Sequence, residues 1–135
     1  MIRIPNHALA VAIVKMLRAG ITDIDVTDHI DESVDLPYIS IGNVTASDDQ
    51  DKGERIMVCH AQLHIWSTYA GKAQVDRIAE RIAAVFNGDS YLDMTANNFA
   101  AVGGRIESYD TYEEDMYGYN GVINLLIYVQ DISTQ

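Results

Sequence analysis

Apolar and polar residues recur along this chain with two different periods, and the switches between them mark out its elements. Over residues 6–19, Leu9, Ala12, Ile13, Met16 and Leu17 repeat at helical spacing, while Lys15 and Arg18 fall in the polar sector. Asn6, following Pro5, is placed to cap this helix and Gly20 to stop it. Residues 21–36 are ambiguous: Ile24 and Val26 alternate with aspartates, which suits a short edge strand or an extended loop. After Pro37, residues 38–44 read as a strand of period two, and the polar stretch 45–53 as a loop. Residues 54–68 carry the clearest strand pattern. Met57, Cys59, Ala61, Leu63 and Ile65 share one face, and Ile56, Val58, His60, Gln62, His64 and Trp66 the other.

Helical spacing returns over 71–87 through Val75, Ile78, Ala79, Ile82, Ala83, Val85 and Phe86, and Asn87-Gly88 ends the helix. A weaker strand over 100–109 contains Val102 and Ile106 and is softened by Gly103-Gly104. An acidic, tyrosine-bearing turn is expected over 110–120. The final strand, 122–131, turns Ile123, Leu125, Ile127 and Val129 inward. Helix, two strands, helix, two strands is an α+β order in which each strand pair can close an antiparallel hairpin. The expected fold is a two-layer sandwich of a four-stranded, mainly antiparallel sheet and two main helices, as a single domain over 1–135.

Composition narrows the function. With 48% hydrophobic and 21% charged residues among 135, the chain has the make-up of a globular domain and not of a disordered one. No apolar run is long enough to cross a bilayer, and the start lacks a signal-peptide core, so a soluble protein made in a cytoplasm is expected. The single cysteine, Cys59, excludes an internal disulfide and lies in an apolar run that suits a buried thiol. The formal charge of −11, from 9 basic and 20 acidic residues, argues against holding nucleic acid by its phosphates. The acids cluster at Asp23, Asp25, Asp28, Asp31, Glu32 and Asp35, again at Asp48, Asp49 and Asp51, and again at Asp110, Glu113, Glu114 and Asp115.

Candidate chemistry is sparse. The sequence has no G-x-S-x-G, no phosphate-binding glycine loop and no H-E-x-x-H, and Gly103-Gly104-Arg105 lacks the following helix of an anion cradle. No catalytic residue, metal or cofactor is expected. His60 and His64 share a strand face and would need a third ligand such as His29 to hold a metal; a half-exposed sheet face beside Trp66 is the simpler reading. Asp23, Asp25 and Asp28 supply oxygen ligands but lack the EF-hand glycine and terminal glutamate. Ile56, Val58 and Trp66 make the outward face of their strand too apolar for open water, so a second layer or a partner chain must cover it.

The run Leu36-Pro37-Tyr38-Ile39-Ser40-Ile41-Gly42 resembles the P-Y-hydrophobic-x-hydrophobic-G strand of the tail-completion, or tail-terminator, proteins of long-tailed phages and gene transfer agents. The charged loop after it, the strand end His64-Ile65-Trp66-Ser67 and the helix opening Gly71-Lys72-Ala73-Gln74-Val75-Asp76-Arg77-Ile78-Ala79 are similar to that family in order and spacing. The resemblance runs over about 20–131, and the chain departs from it in its acidity. It implies a structural protein of the virion tail. Such a protein forms a homo-hexameric ring at the head-proximal end of the tail tube, stops tube polymerisation and joins the tube to the head connector. DNA passes through its channel without specific binding, and no membrane is involved. In such a ring Ile56, Val58, His60, His64 and Trp66 would form a subunit contact, and Tyr109, Tyr112, Tyr117 and Tyr119 a second one. Asp48, Asp49, Asp51, Asp110, Glu113, Glu114 and Asp115 would lie on channel-facing acidic loops that repel phosphates. Competing readings are a small-molecule-binding α+β regulatory domain, another head–tail connector or tube protein, and a hydrolase with His60 or His64 as general base.

Overall fold

A computed structural model of the chain describes residues 3–30, 33–48, 55–67, 72–87, 92–114 and 118–133. Helix α1 spans Asn6–Gly20, and strands β1, β2 and β3 span Asp25–Thr27, Tyr38–Asp48 and Ile56–Trp66. Helix α2 spans Ala73–Asn87, a single 3-10 turn Thr95–Asn97, and strands β4 and β5 Phe99–Glu114 and Gly118–Asp131. The five strands form one sheet in the order β1-β2-β3-β5-β4. β1 runs parallel to β2, and the other neighbours are antiparallel.

The α+β class and the two helices agree with the sequence, whereas the sheet has five mixed strands where four were expected. The extra one is β1, in which Val26 is buried opposite Ile39 and Arg18 donates to the Val26 carbonyl at 2.7 and 3.0 Å. Residues 45–48, expected in a loop, continue β2 because they pair with Met57 to His60 of β3. The expected turn over 110–120 is mostly ladder: Asp110 to Glu114 pair with Val122 to Gly118. Asn6, expected as a cap, is instead the first helical residue, and its side-chain amide donates to the Val44 carbonyl at 2.9 Å.

Both helices pack on one face of the sheet, α1 over β1 and β2, α2 over β3, β5 and β4. The core between the layers holds Leu9, Ile13 and Leu17 of α1 and Val75, Ile78 and Ile82 of α2. Beneath them lie Ile39 and Ile41, the odd positions of β3 from Cys59 to Ile65, and Ile123, Leu125, Ile127 and Val129. Burial pushes the Cys59 thiol up to about 11, so it stays protonated and acts as a small hydrophobe.

Two local features set the spacing of the layers. Gly121, opposite Ile65, lies under α2, where a Cβ would stand 2.5 Å from Val75 Cγ1. Glycine there lets the helix settle directly onto the sheet. At the other end of the sheet Asp131, buried, accepts from Ser133 Oγ at 2.7 Å and from Arg3 at 2.9 Å, with Arg55 at 3.2 Å. Ser133, followed by the two guanidinium groups, holds this carboxyl well below the usual carboxylate range despite the opposing effect of desolvation. Arg3 also stacks over Phe99 at 4.2 Å and donates to the carbonyls of Asn97 and Asn98, which ties the first described residues to the end of β5.

Gly121→Ala should lower the unfolding free energy by about 1–3 kcal/mol, the usual cost of overpacking. Gly103→Ala, whose Cβ would meet Tyr128 at an ordinary 3.4 Å, should be neutral or slightly stabilising. Urea titration of the two variants beside the parent checks the contrast; equal effects would mean that Gly121 does not set the helix height.

Candidate functional site

Among the described residues no helix covers the second face of the sheet, yet its centre is closed. Tyr38 and Ser40 of β2, His64 and Trp66 of β3, and Asn120 and Val122 of β5 meet there because Tyr38 pairs with Trp66, Ser40 with His64, and those two with Asn120 and Val122. A bulge between Ile41 and Val44 shifts the parity of β2, so Thr45 and Ser47 continue this face where strict alternation from Ser40 would have turned them inward. Further along lie Val58, His60, Gln62, Asn124, Leu126 and Tyr128. Formal charge on the face lies at its two margins: Asp25 of β1, exposed beside Tyr38, and Arg105, Asp110 and Glu107 of β4, the last with its carboxylate 2.9 Å from His60 Nδ1. In a chain of net −11, the rest of this surface is aromatic, aliphatic or neutral polar.

The aromatic group is fixed in place. Trp66 stacks on Tyr38 at 6.1 Å and 26°, and on His64 at 5.7 Å and 19°. Its indole N–H donates to Ser40 Oγ at 2.9 Å, which spends its polar handle within the sheet. The His64 ring lies over Gly42, where a Cβ would come within 2.8 Å of Nε2, so the bulge glycine makes room for the imidazole. Tyr38 is 5% exposed and Ser40 fully buried without any helix above them. His64 Nδ1 and Asn120 Oδ1 are both buried without a hydrogen-bond partner among the described residues. Asn120 lies close enough to favour the protonated ring, but burial outweighs it and leaves the His64 pKa below its ordinary value. Neutral imidazole against indole and phenol is a surface prepared for apolar contact.

The residues singled out by the sequence are dispersed over both faces. Ile56, Val58, His64 and Trp66 are partly buried on the helix-free face and His60 is exposed there. Tyr112 is on that face too, 52% exposed. Tyr109 and Tyr119 instead pack toward the core on the helix side. The Tyr109 hydroxyl donates to Asp76 Oδ1 at 2.7 Å, and burial, then Asp76, push its pKa up. Tyr117, Asp49, Asp51 and Asp115 lie outside the described residues, as does the side chain of Glu114. Asp48 ends β2, whereas Asp110 and Glu113 lie on β4 toward the other end of the sheet and on opposite faces of the strand. The span of β3 between these ends, Met57 to Trp66, is about 30 Å at the rise of a strand. In the first acidic cluster Asp23 is paired with Arg81 at 2.5 Å and Asp28 with His29 at 2.5 Å. Among the described residues no three His, Cys, Asp or Glu gather as a metal would require.

Sequence reasoning missed Tyr38, Ser40, Gly42 and Asn120. The aromatic at 38 shares strand parity with Ser40, but only the cross-strand register brings either to Trp66.

An α+β sandwich of this build is shared with proteins of virus-like particles. A chain in the virion of a native gene transfer agent particle superposes with a TM-score of 0.69 and 20% identity, over 92% of this chain and 94% of that one. The bacteriophage SPP1 gp17 protein superposes with a TM-score of 0.58 and 16% identity, over 98% and 96%. At these identities the likeness is one of fold. Among curated proteins no match is found. The family of tail completion protein gp17 matches residues 7–130, and the chain belongs to that family of phage tail structural proteins.

The lowered His64 pKa has a sign that can be checked. Between the folded value and the ordinary 6.5 the unfolded chain binds more protons, so stability is full above pH 6.5 and falls as the pH drops below it. His64→Gln should flatten that part of a stability-against-pH curve measured by urea unfolding between pH 7.5 and 5. An unchanged slope would show that the ring is not desolvated.

Proposed function

We propose that this chain caps the head-proximal end of a tail tube as a ring of six copies, stops tube polymerisation and presents the surface joined to the head. The observation that carries this reading is the centre of the helix-free face, rigid, aromatic and uncharged between charged margins in a strongly acidic protein. Interface centres favour Trp and Tyr and exclude charge, which is the character of this surface. In the ring, Ile56, Val58, His60, His64 and Trp66 take the neighbouring subunit. Tyr109, Tyr112 and Tyr119 grip a second contact from both sides of the sheet at its hairpin end. Membership in the tail completion family supports a place in the virion tail, with the tail tube protein and the head connector as partners.

The acids fit the same reading. Asp48 is at one end of the sheet and Asp110 and Glu113 near the other, so a sheet aligned with the ring axis carries negative charge toward both mouths of the channel. Charge of that sign repels DNA phosphates and lets the molecule pass without being held.

Light scattering over a concentration series, with negative-stain images, tests the ring. The expected result is a closed species six times the mass of the 15.0 kDa chain, alone or once growing tail tubes are added. Trp66→Ala should return it to monomer, since truncating a buried aromatic anchor costs about 2 kcal/mol or more per contact. A closed two-fold dimer at every concentration, or tubes that grow past the added protein, would overturn the reading.

A further inference from the structure

On the helix side of the sheet α2 leaves part of β4 uncovered, and a groove of about 340 Å³ runs between them. Ile106, Ile123, Ala79 and Ala83 form its apolar floor and walls, and Asp76 and Glu80 its rim. The Tyr109 hydroxyl, bonded to Asp76 at 2.7 Å, ties helix to strand along it. β4 is also the end strand of the sheet, and among the described residues nothing pairs with its outer edge. Irregularities interrupt β4 between Ala101 and Gly103 and between Ile106 and Ser108; from Ser108 to Glu114 it is regular, and that stretch of open edge offers N–H and C=O groups at the spacing of one more strand. Such a strand would lay alternate side chains on the inner face, beside this groove.

Charge selects the occupant. An apolar trough rimmed by two carboxylates suits a long side chain with an aliphatic stem and a cationic end. This chain offers a second copy no free basic strand: Lys15 and Arg77 lie on helices, Lys72 just ahead of one and Arg105 in β4 itself, and Lys52 stands between Asp51 and Gly53 in the sequence. Arg3 and Arg55 are committed to Asp131, Arg18 to the Val26 carbonyl and Arg81 to Asp23. We propose that the β4 edge and the α2 groove together receive an extended segment of a different protein. That segment adds as a further strand, with a Lys or Arg seated at Asp76 and Glu80 and apolar residues alternating with the basic ones. The inference is read on the chain itself and stands without the ring; in the ring it requires that the contact proposed at Tyr109, Tyr112 and Tyr119 leave the outer edge of β4 open.

The probe is an end-blocked octapeptide of alternating lysine and valine. Two controls accompany it, one of the same composition with the lysines in a block and one alternating glutamate and valine. Titration calorimetry should show the alternating lysine peptide binding about ten-fold more tightly than the block peptide, since matching charge alone is sequence-blind. Backbone amides of β4 from Ser108 to Glu113 should exchange more slowly in its presence. Glu80→Lys, on an exposed helix position, should weaken binding about ten-fold with the melting temperature unchanged, and Glu80→Gln by less. Equal binding of the two lysine peptides, no measurable binding, protection spread over the acidic surface, or insensitivity to Glu80→Lys would each overturn the proposal.

Discussion

β3 is paired along both edges, to β5 over eleven consecutive residues and to β2 over nine, divided by a bulge, and its register decides where the rest of the molecule can go. A one-residue slip would exchange Cys59, Ala61, Leu63 and Ile65 for Val58, His60, Gln62 and His64 beneath the helices, placing two imidazoles and an amide in the core. Because that alternative is so costly, the two faces are fixed together. The helix layer is admitted on one side, down to the Gly121–Val75 contact, and the aromatic group is assembled on the other.

The helices and the core of β3 and β5 were legible because their signal is local: one period, repeated over many residues. What escaped depends on partners distant in sequence. β1, open between a short edge strand and a loop on its sequence, is three residues among aspartates, and it is a strand because Tyr38 to Ser40 lie beside it and Arg18 satisfies its carbonyl. Residues 45–48 and 110–114 have the composition of loops and are held straight by cross-strand pairing. The candidate face was legible in part. Trp66 and the two histidines stand out on their strand, but Tyr38 and Ser40 join them through pairing, and Asn120 lay in what reads as a turn. The bulge at Gly42 then displaces the parity that would have placed Thr45 and Ser47.

The acidity of the chain is distributed in a way that its total conceals. Four arginines serve as ties, Arg3 and Arg55 at Asp131, Arg18 at β1 and Arg81 at Asp23. The Asp23–Arg81 pair is exposed and contributes little to stability; the Asp131 knot, whose carboxylate is buried, joins three separate segments. With four of its nine cations used this way, the protein shows solvent mostly negative charge, and the uncharged centre of its second sheet face stands apart from that background.

The two margins of the sheet are unequal. At one, β1 offers three residues, and the carbonyl of the middle one is already occupied by Arg18; at the other, β4 runs for sixteen residues. Runaway fibre growth by edge-to-edge pairing needs two receptive margins on every molecule, so that each addition regenerates the template. With one margin blunt, a strand added to β4 ends the series, and a crowded cell can hold many copies of this long open edge without seeding a continuous cross-molecular sheet.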